Sequence, residues 1–104
     1  DSAPHTRGYK ESSCSCAGIF NASYALESYA EVFEQEGCLD LLEGFCSIFG
    51  PTFYGLPINQ ANVTLIKKKN KVPELIQVVG PERLTQEIIP FHAGESLNWQ
   101  LMER

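Results

Sequence analysis

Residues 39–49 join an apolar repeat to a stop signal. Leu41, Leu42, Phe45, Ile48 and Phe49 recur at the i, i+3, i+4, i+7 intervals that set one stripe of a helix against a core. Gly50-Pro51 follows, and a ring with no amide hydrogen forbids continuation. The spacing predicts a helix over 39–49. A second helix is expected just before it. Asn21 or Ser23 offers a cap, and Tyr24, Ala25, Tyr29, Val32 and Phe33 fall near one face, with Glu27, Glu31 and Glu34 largely off it. Gly37 closes that helix. Two short amphipathic helices must pack as a pair or against something larger. Phe53-Tyr54-Gly55-Leu56-Pro57 then reads as a further helical turn or a tight connection.

Beyond Pro57 the character changes. Residues 63–67 are rich in β-branched and aliphatic side chains, and 75–79 and 97–101 are further strand candidates. Pro73, Gly80-Pro81, Pro90 and Gly94 separate them, which predicts a small antiparallel β addition after a helical segment. At the other end, residues 1–20 carry Pro4, Gly8, Gly18 and a cluster of Ser and Cys without sustained periodicity. A long irregular loop is expected there, and loops of that length in compact domains are usually functional.

With 104 residues, 43% of them hydrophobic and 20% charged, the chain has the composition of one soluble globular unit or a piece of one. A domain of this size buries roughly 60–70% of its unfolded surface, too little for a deep multilayered active site. The net charge of −5 excludes nucleic acid or an anionic membrane as the main partner, and the run Lys67, Lys68, Lys69 is too short to change that. No apolar stretch approaches the roughly 18 residues that span a bilayer, and no charged-then-apolar leader is present. The chain begins at Asp1 without Met, inside what reads as a motif, so a fragment or processed product is expected. Cys14, Cys16, Cys38 and Cys46 could pair as disulfides in a secreted chain, a reading that the sequons Asn21-Ala22-Ser23 and Asn62-Val63-Thr64 also favour. Reduced cysteines acting as small buried hydrophobes in a cytosolic enzyme are the other reading.

Few residues carry chemistry. Asp1-Ser2-Ala3-Pro4-His5 sets a carboxylate and an imidazole four positions apart on a loop stiffened by Pro4. Such a pair could supply a metal ligand, a general base or an anion-binding group. The spacing alone fits equally a turn capped by Asp1 with an exposed His5. Cys14-Ser15-Cys16 lacks a second ligand pair and reads as buried structural cysteine. Ser12, Ser13 and Ser15 sit on nothing like a nucleophile elbow. Trp99, Phe53, Tyr54 and Phe91 are expected to pack a core, and His92 and Glu95 to lie in a surface turn.

Read together, the blocks Asp1-Ser2-Ala3-Pro4-His5, Lys10-Glu11-Ser12-Ser13-Cys14, Cys16-Ala17-Gly18, Ala25-Leu26 with Tyr29, and Gly50-Pro51 with Phe53-Tyr54-Gly55-Leu56-Pro57 and Asn59 are ordered and spaced distinctively. With Val72-Pro73, Pro90-Phe91, Ala93-Gly94-Glu95 and Trp99, they resemble the C-terminal part of the single-function bacterial and fungal type of dihydroorotase. The resemblance covers essentially the whole chain. It implies an α/β fold, the final catalytic loop and helices of a TIM (β/α)8 barrel over residues 1–56, with a small C-terminal β-rich extension over 57–104. It also implies a cytoplasmic enzyme of pyrimidine biosynthesis, with two zinc ions per active site, that reversibly cyclises N-carbamoyl-L-aspartate to L-dihydroorotate.

On that resemblance Asp1 is both a zinc ligand and the catalytic carboxylate. It takes a proton from the attacking nucleophile and passes it to the departing amide nitrogen. His5 matches the histidine that holds the substrate carboxylate, and Ala17 the position whose main chain contacts the same group. Ser15 departs from the Gly of many relatives and Ile19 from the Cys of some. The family's His-x-His pair, carboxylated lysine and two further zinc histidines are absent. The chain alone is therefore expected to be inactive, its helices laid on the remainder of the barrel, and the resemblance allows a homodimer of the intact enzyme. Two alternatives remain. A secreted disulfide-stabilised binding module would contain two cystines where the enzyme has four thiols. Another cyclic amidohydrolase, such as a hydantoinase or allantoinase, would share Asp1, but His5 and the Cys16-Ala17-Gly18 loop fit an acidic substrate better.

Overall fold

A computed structural model of the chain describes residues 6, 7, 11, 18–80 and 85–102. Two compact units emerge, one of Asp1–Ala25 and Lys71–Ser96, the other of Leu26–Asn70 and Leu97–Arg104.

Helix α1, Ala25–Gln35, is entered through a 3₁₀ turn at Ala22–Tyr24. Asn21 holds the cap position of that turn but makes no side-chain capping bond. The helix ends at Gly37, as its sequence predicts. Gly37 has φ +72°, its N–H donates to the Glu34 carbonyl at 3.0 Å, and the Cys38 N–H donates to Phe33 at 2.8 Å. This is the paired closure that a left-handed residue permits, and it favours glycine.

The second helical segment differs from expectation. Three parts follow one another: a 3₁₀ turn at Leu39–Leu41, a π-helical turn at Gly44–Ile48, and helix α2 at Phe49–Tyr54. Gly50-Pro51 does not stop it. In the π turn the Phe49 N–H donates to Gly44, five residues back, and α2 begins from a shifted register. Pro51 then falls in the first turn of α2, where an N–H has no acceptor within the helix and its loss costs little. The stop is Gly55, at φ +68°, with the Leu56 N–H donating to Pro51 at 2.9 Å. Phe45 of the π turn meets α1 edge-on at Tyr29, 5.5 Å between ring centroids, and at a tilt at Phe33, 5.2 Å.

β1 (Leu65–Lys71) pairs with β4 (Ser96–Leu101), all but Lys71 and Ser96 lying in the same unit as these helices. Bonds from Met102 N–H to Thr64 at 2.9 Å and from Val72 N–H to Glu95 at 2.8 Å, at opposite ends, make the pair antiparallel. β1 starts later than the expected 63–67 and runs through the lysine run. Lys67 reaches Glu34 and lies 5.2 Å from the centroid of the Trp99 ring, while Leu65 and Ile66 are half-buried. Ala30 and Leu97 are buried here.

The other unit is built on β2 (Ile76–Val79) and β3 (Thr85–Ile88), antiparallel with Ile76 opposite Ile88 and Val79 opposite Thr85. Thr6 forms an isolated antiparallel bridge to Ile88. Val72 and Ile88 are its buried aliphatic residues. A turn over Phe91–Gly94 returns the chain to β4, with His92 at φ +64° and the Gly94 N–H donating to Val72 at 3.0 Å. The fold is mixed helix and strand. Among the described residues its β structure is two separate two-stranded ribbons, without a closed barrel.

Candidate functional site

Asp1, His5 and Ala17 all lie outside the described residues, as do Cys14 and Cys16. The described residues give the supports of the segment that carries them. Thr6, which follows His5 in the chain, bridges to Ile88 of β3. The Glu11 N–H donates to the Arg7 carbonyl at 2.9 Å. The Arg7 Nε donates to both Glu11 oxygens, at 3.1 and 3.2 Å, and its Nη1 lies 3.6 Å from Glu87 of β3. Past Ala17, the Phe20 carbonyl accepts the Phe91 N–H at 2.7 Å. Thr6 and Arg7 are therefore tied to β3, and Phe20 to the turn that follows it. An open, polar groove of about 670 Å³ is lined by Thr6, Arg7, Glu11, Thr85, Gln86 and Glu87.

In the other unit a second cavity of about 640 Å³ has a mainly aliphatic wall that includes Leu26, Leu42, Ile48, Ile58 and Val63, with Cys46 among them. Burial pushes the Cys46 thiol above its ordinary pKa. Cys38 and Cys46 are both free thiols.

His92 lies in the expected turn, its Nδ1 3.0 Å from Glu95 and its ring 4.0 Å from that of Phe91. The aromatic residues expected in a core do not behave alike. Trp99 is half-buried, and its indole nitrogen is buried without a hydrogen-bond partner among the described residues. Phe53 and Tyr54 are 81% and 73% exposed, and Phe91 is also exposed. On α2 the reason is that no described element covers its outer side. Among the described residues no three His, Cys, Asp or Glu side chains converge on a point that could hold a metal ion. No described helix is long and apolar enough to cross a membrane.

Sequence reasoning missed Arg7 and Glu87. Each reads as an ordinary solvated charge, and only the pairing of Thr6 with β3 brings them together.

No family profile matches the chain. Individual proteins do. The chain is 52% identical over 101 residues to a dihydroorotase of Erythrobacter litoralis and 55% identical over 101 residues to one of Parasynechococcus marenigrum, covering 97% of its own length in both. Among solved structures it is similar to the dihydroorotase of Saccharomyces cerevisiae in complex with 5-fluoroorotic acid, with a TM-score of 0.80 and 33% identity over 97% of the chain. It is also similar to that of Campylobacter jejuni, with a TM-score of 0.75 and 30% identity over 99%. The chain spans only 27–28% of the length of these relatives. With half its residues identical along nearly its whole length, and with the same local fold, the chain matches one part of the dihydroorotases.

Proposed function

We propose that the chain is the C-terminal part of a dihydroorotase, which reversibly cyclises N-carbamoyl-L-aspartate to L-dihydroorotate in the cytoplasm for pyrimidine synthesis. The observation that carries this reading is the 52–55% identity to dihydroorotases over 97% of the chain. A ligand-bearing relative supports the substrate class, because 5-fluoroorotic acid is a pyrimidine carboxylic acid.

On this reading residues 1–56 are the last catalytic loop and terminal helices of a (β/α)8 barrel, and 57–104 a β-rich extension. Asp1 accepts a proton from the attacking nucleophile and returns it to the amide nitrogen as the ring opens. His5 donates a hydrogen bond to the substrate carboxylate, and the Ala17 main chain contacts the same anion. Zinc, when bound, would supply Lewis acidity. Asp1 would be this chain's ligand to it, and the remaining ligands would come from the rest of the polypeptide. The exposed Phe45, Phe49, Phe53, Tyr54 and Leu56 suit helices that lie on that remainder.

The test is an assay of the full-length polypeptide with zinc and dihydroorotate, beside the isolated 104-residue chain. Turnover by the former alone is expected. Turnover by the isolated chain, or hydrolysis of hydantoin or allantoin in place of dihydroorotate, overturns the reading.

A further inference from the structure

We propose that the β2–β3 ribbon sets the register of the substrate-carboxylate loop, and that Arg7, paired across to Glu87 and forked onto Glu11, is the positioning residue through which it does so. The proposal rests on the reading of His5 given above.

The geometry is that of two successive rungs. Thr6 pairs with Ile88 in an antiparallel bridge, so the next positions along the two backbones are Arg7 and Glu87. Those two form an ion pair, 3.6 Å from Nη1 to Oε2. Opposite charges at facing cross-strand positions favour one pairing over its neighbours. Glu11 adds to this by holding the Arg7 Nε in a two-oxygen fork, which leaves Nη1 turned toward β3. A lone bridge has no further ladder to define it, and a slip of one residue turns every side chain of a strand to the other face. A slip at Thr6 would therefore reverse the facing of the residues beside it, and His5 is its immediate neighbour.

Magnitudes decide what this pair is for. Arg7 and Glu87 side chains are 49% and 41% exposed, and ion pairs at such sites add little to overall stability. Their effect is on which alignment the loop adopts. Loss of Arg7 should consequently be felt in the binding of a carboxylate substrate far more than in the melting temperature.

The experiment uses the full-length enzyme with Arg7→Ala, Arg7→Lys, Glu87→Ala and the Arg7→Ala/Glu87→Ala double variant. For Arg7→Ala, KM for dihydroorotate is expected to rise about three- to fivefold with kcat nearly unchanged. Arg7→Lys, whose one ammonium cannot meet Glu11 and Glu87 in the same geometry, recovers only part of the loss, and the double variant is no worse than Arg7→Ala because the two residues act as one unit. Amide exchange in the peptide containing Thr6 should accelerate in Arg7→Ala with or without substrate. An unchanged KM with unchanged exchange, or single effects that multiply in the double variant, overturns the proposal. If the wild-type polypeptide does not turn over dihydroorotate, the functional reading fails by itself and exchange alone decides on the register. Faster exchange in Arg7→Ala then supports it, and equal exchange overturns it.

Discussion

The Glu31 carboxylate accepts two hydrogen bonds from Asn98, a residue 67 positions away: one from the backbone N–H at 2.8 Å and one from the side-chain amide at 2.6 Å. One acidic side chain of α1 thereby satisfies the outward N–H of an edge-strand residue in β4, which would otherwise face water. Bonds to an ionised acceptor are stronger than neutral ones, although exposure reduces what they contribute here. Glu31→Ala should destabilise the local pairing by about 1 kcal/mol. Hydrogen exchange at the Asn98 amide is expected to accelerate several-fold, and an unchanged rate would show that the contact does not hold the strand.

Two glycines of the helical segment should respond in opposite directions. Gly55 closes α2 at φ +68°, a conformation that costs an L-residue about 1 kcal/mol, so Gly55→Ala should lower the thermal midpoint. Gly50 lies inside α2 with open space where a Cβ would stand, so Gly50→Ala should be neutral or stabilising by up to about 1 kcal/mol. Melting curves of the two variants read this directly.

Cys46 predicts a pH dependence. Burial raises its pKa, which means that the folded chain prefers the neutral thiol. The stabilisation is fully present below the ordinary thiol pKa of about 8.5 and is lost as pH climbs through the higher folded value. Alkylation of Cys46 in the native protein should show its midpoint above that of the denatured protein. Cys46→Ala should flatten the loss of stability on the alkaline side, as followed by urea unfolding at a series of pH values. Under denaturing, non-reducing conditions both Cys38 and Cys46 should react as free thiols, whereas a cystine module would leave them blocked.

For catalysis in the full-length enzyme, Asp1→Asn is expected to lower kcat by about 10²–10⁴-fold, the usual range for removing a positioned acid–base group. His5→Ala should act mainly on KM. Steady-state kinetics separates the two, and a His5 variant with normal KM and low kcat would reassign that residue.

How much of this is legible in the sequence varies by element. The span of α1 and its end at Gly37 follow from apolar spacing and one glycine, because both are local properties. The passage of the second helix through Gly50-Pro51 does not, since it depends on the π turn that precedes it and shifts the register of the amide bonds. β3 was not foreseen because Thr85, Gln86 and Glu87 show no apolar alternation. It is held by its partner strand and by one buried residue, Ile88. Asp1, His5 and Ala17 were singled out through resemblance, since a carboxylate and an imidazole four apart fit several roles. Arg7 and Glu87 could not be singled out at all, because their pairing exists only once the chain has folded.

The π turn at Gly44–Ile48 has a consequence for the aromatic residues downstream of it. Each helical residue advances by about 100° around the axis. Were that turn to close as an α turn with every residue kept, the Phe49 N–H would donate to Phe45 in place of Gly44, and Phe49, Phe53 and Tyr54 would rotate together to face a different neighbour. The choice of one carbonyl acceptor thus governs where three rings point.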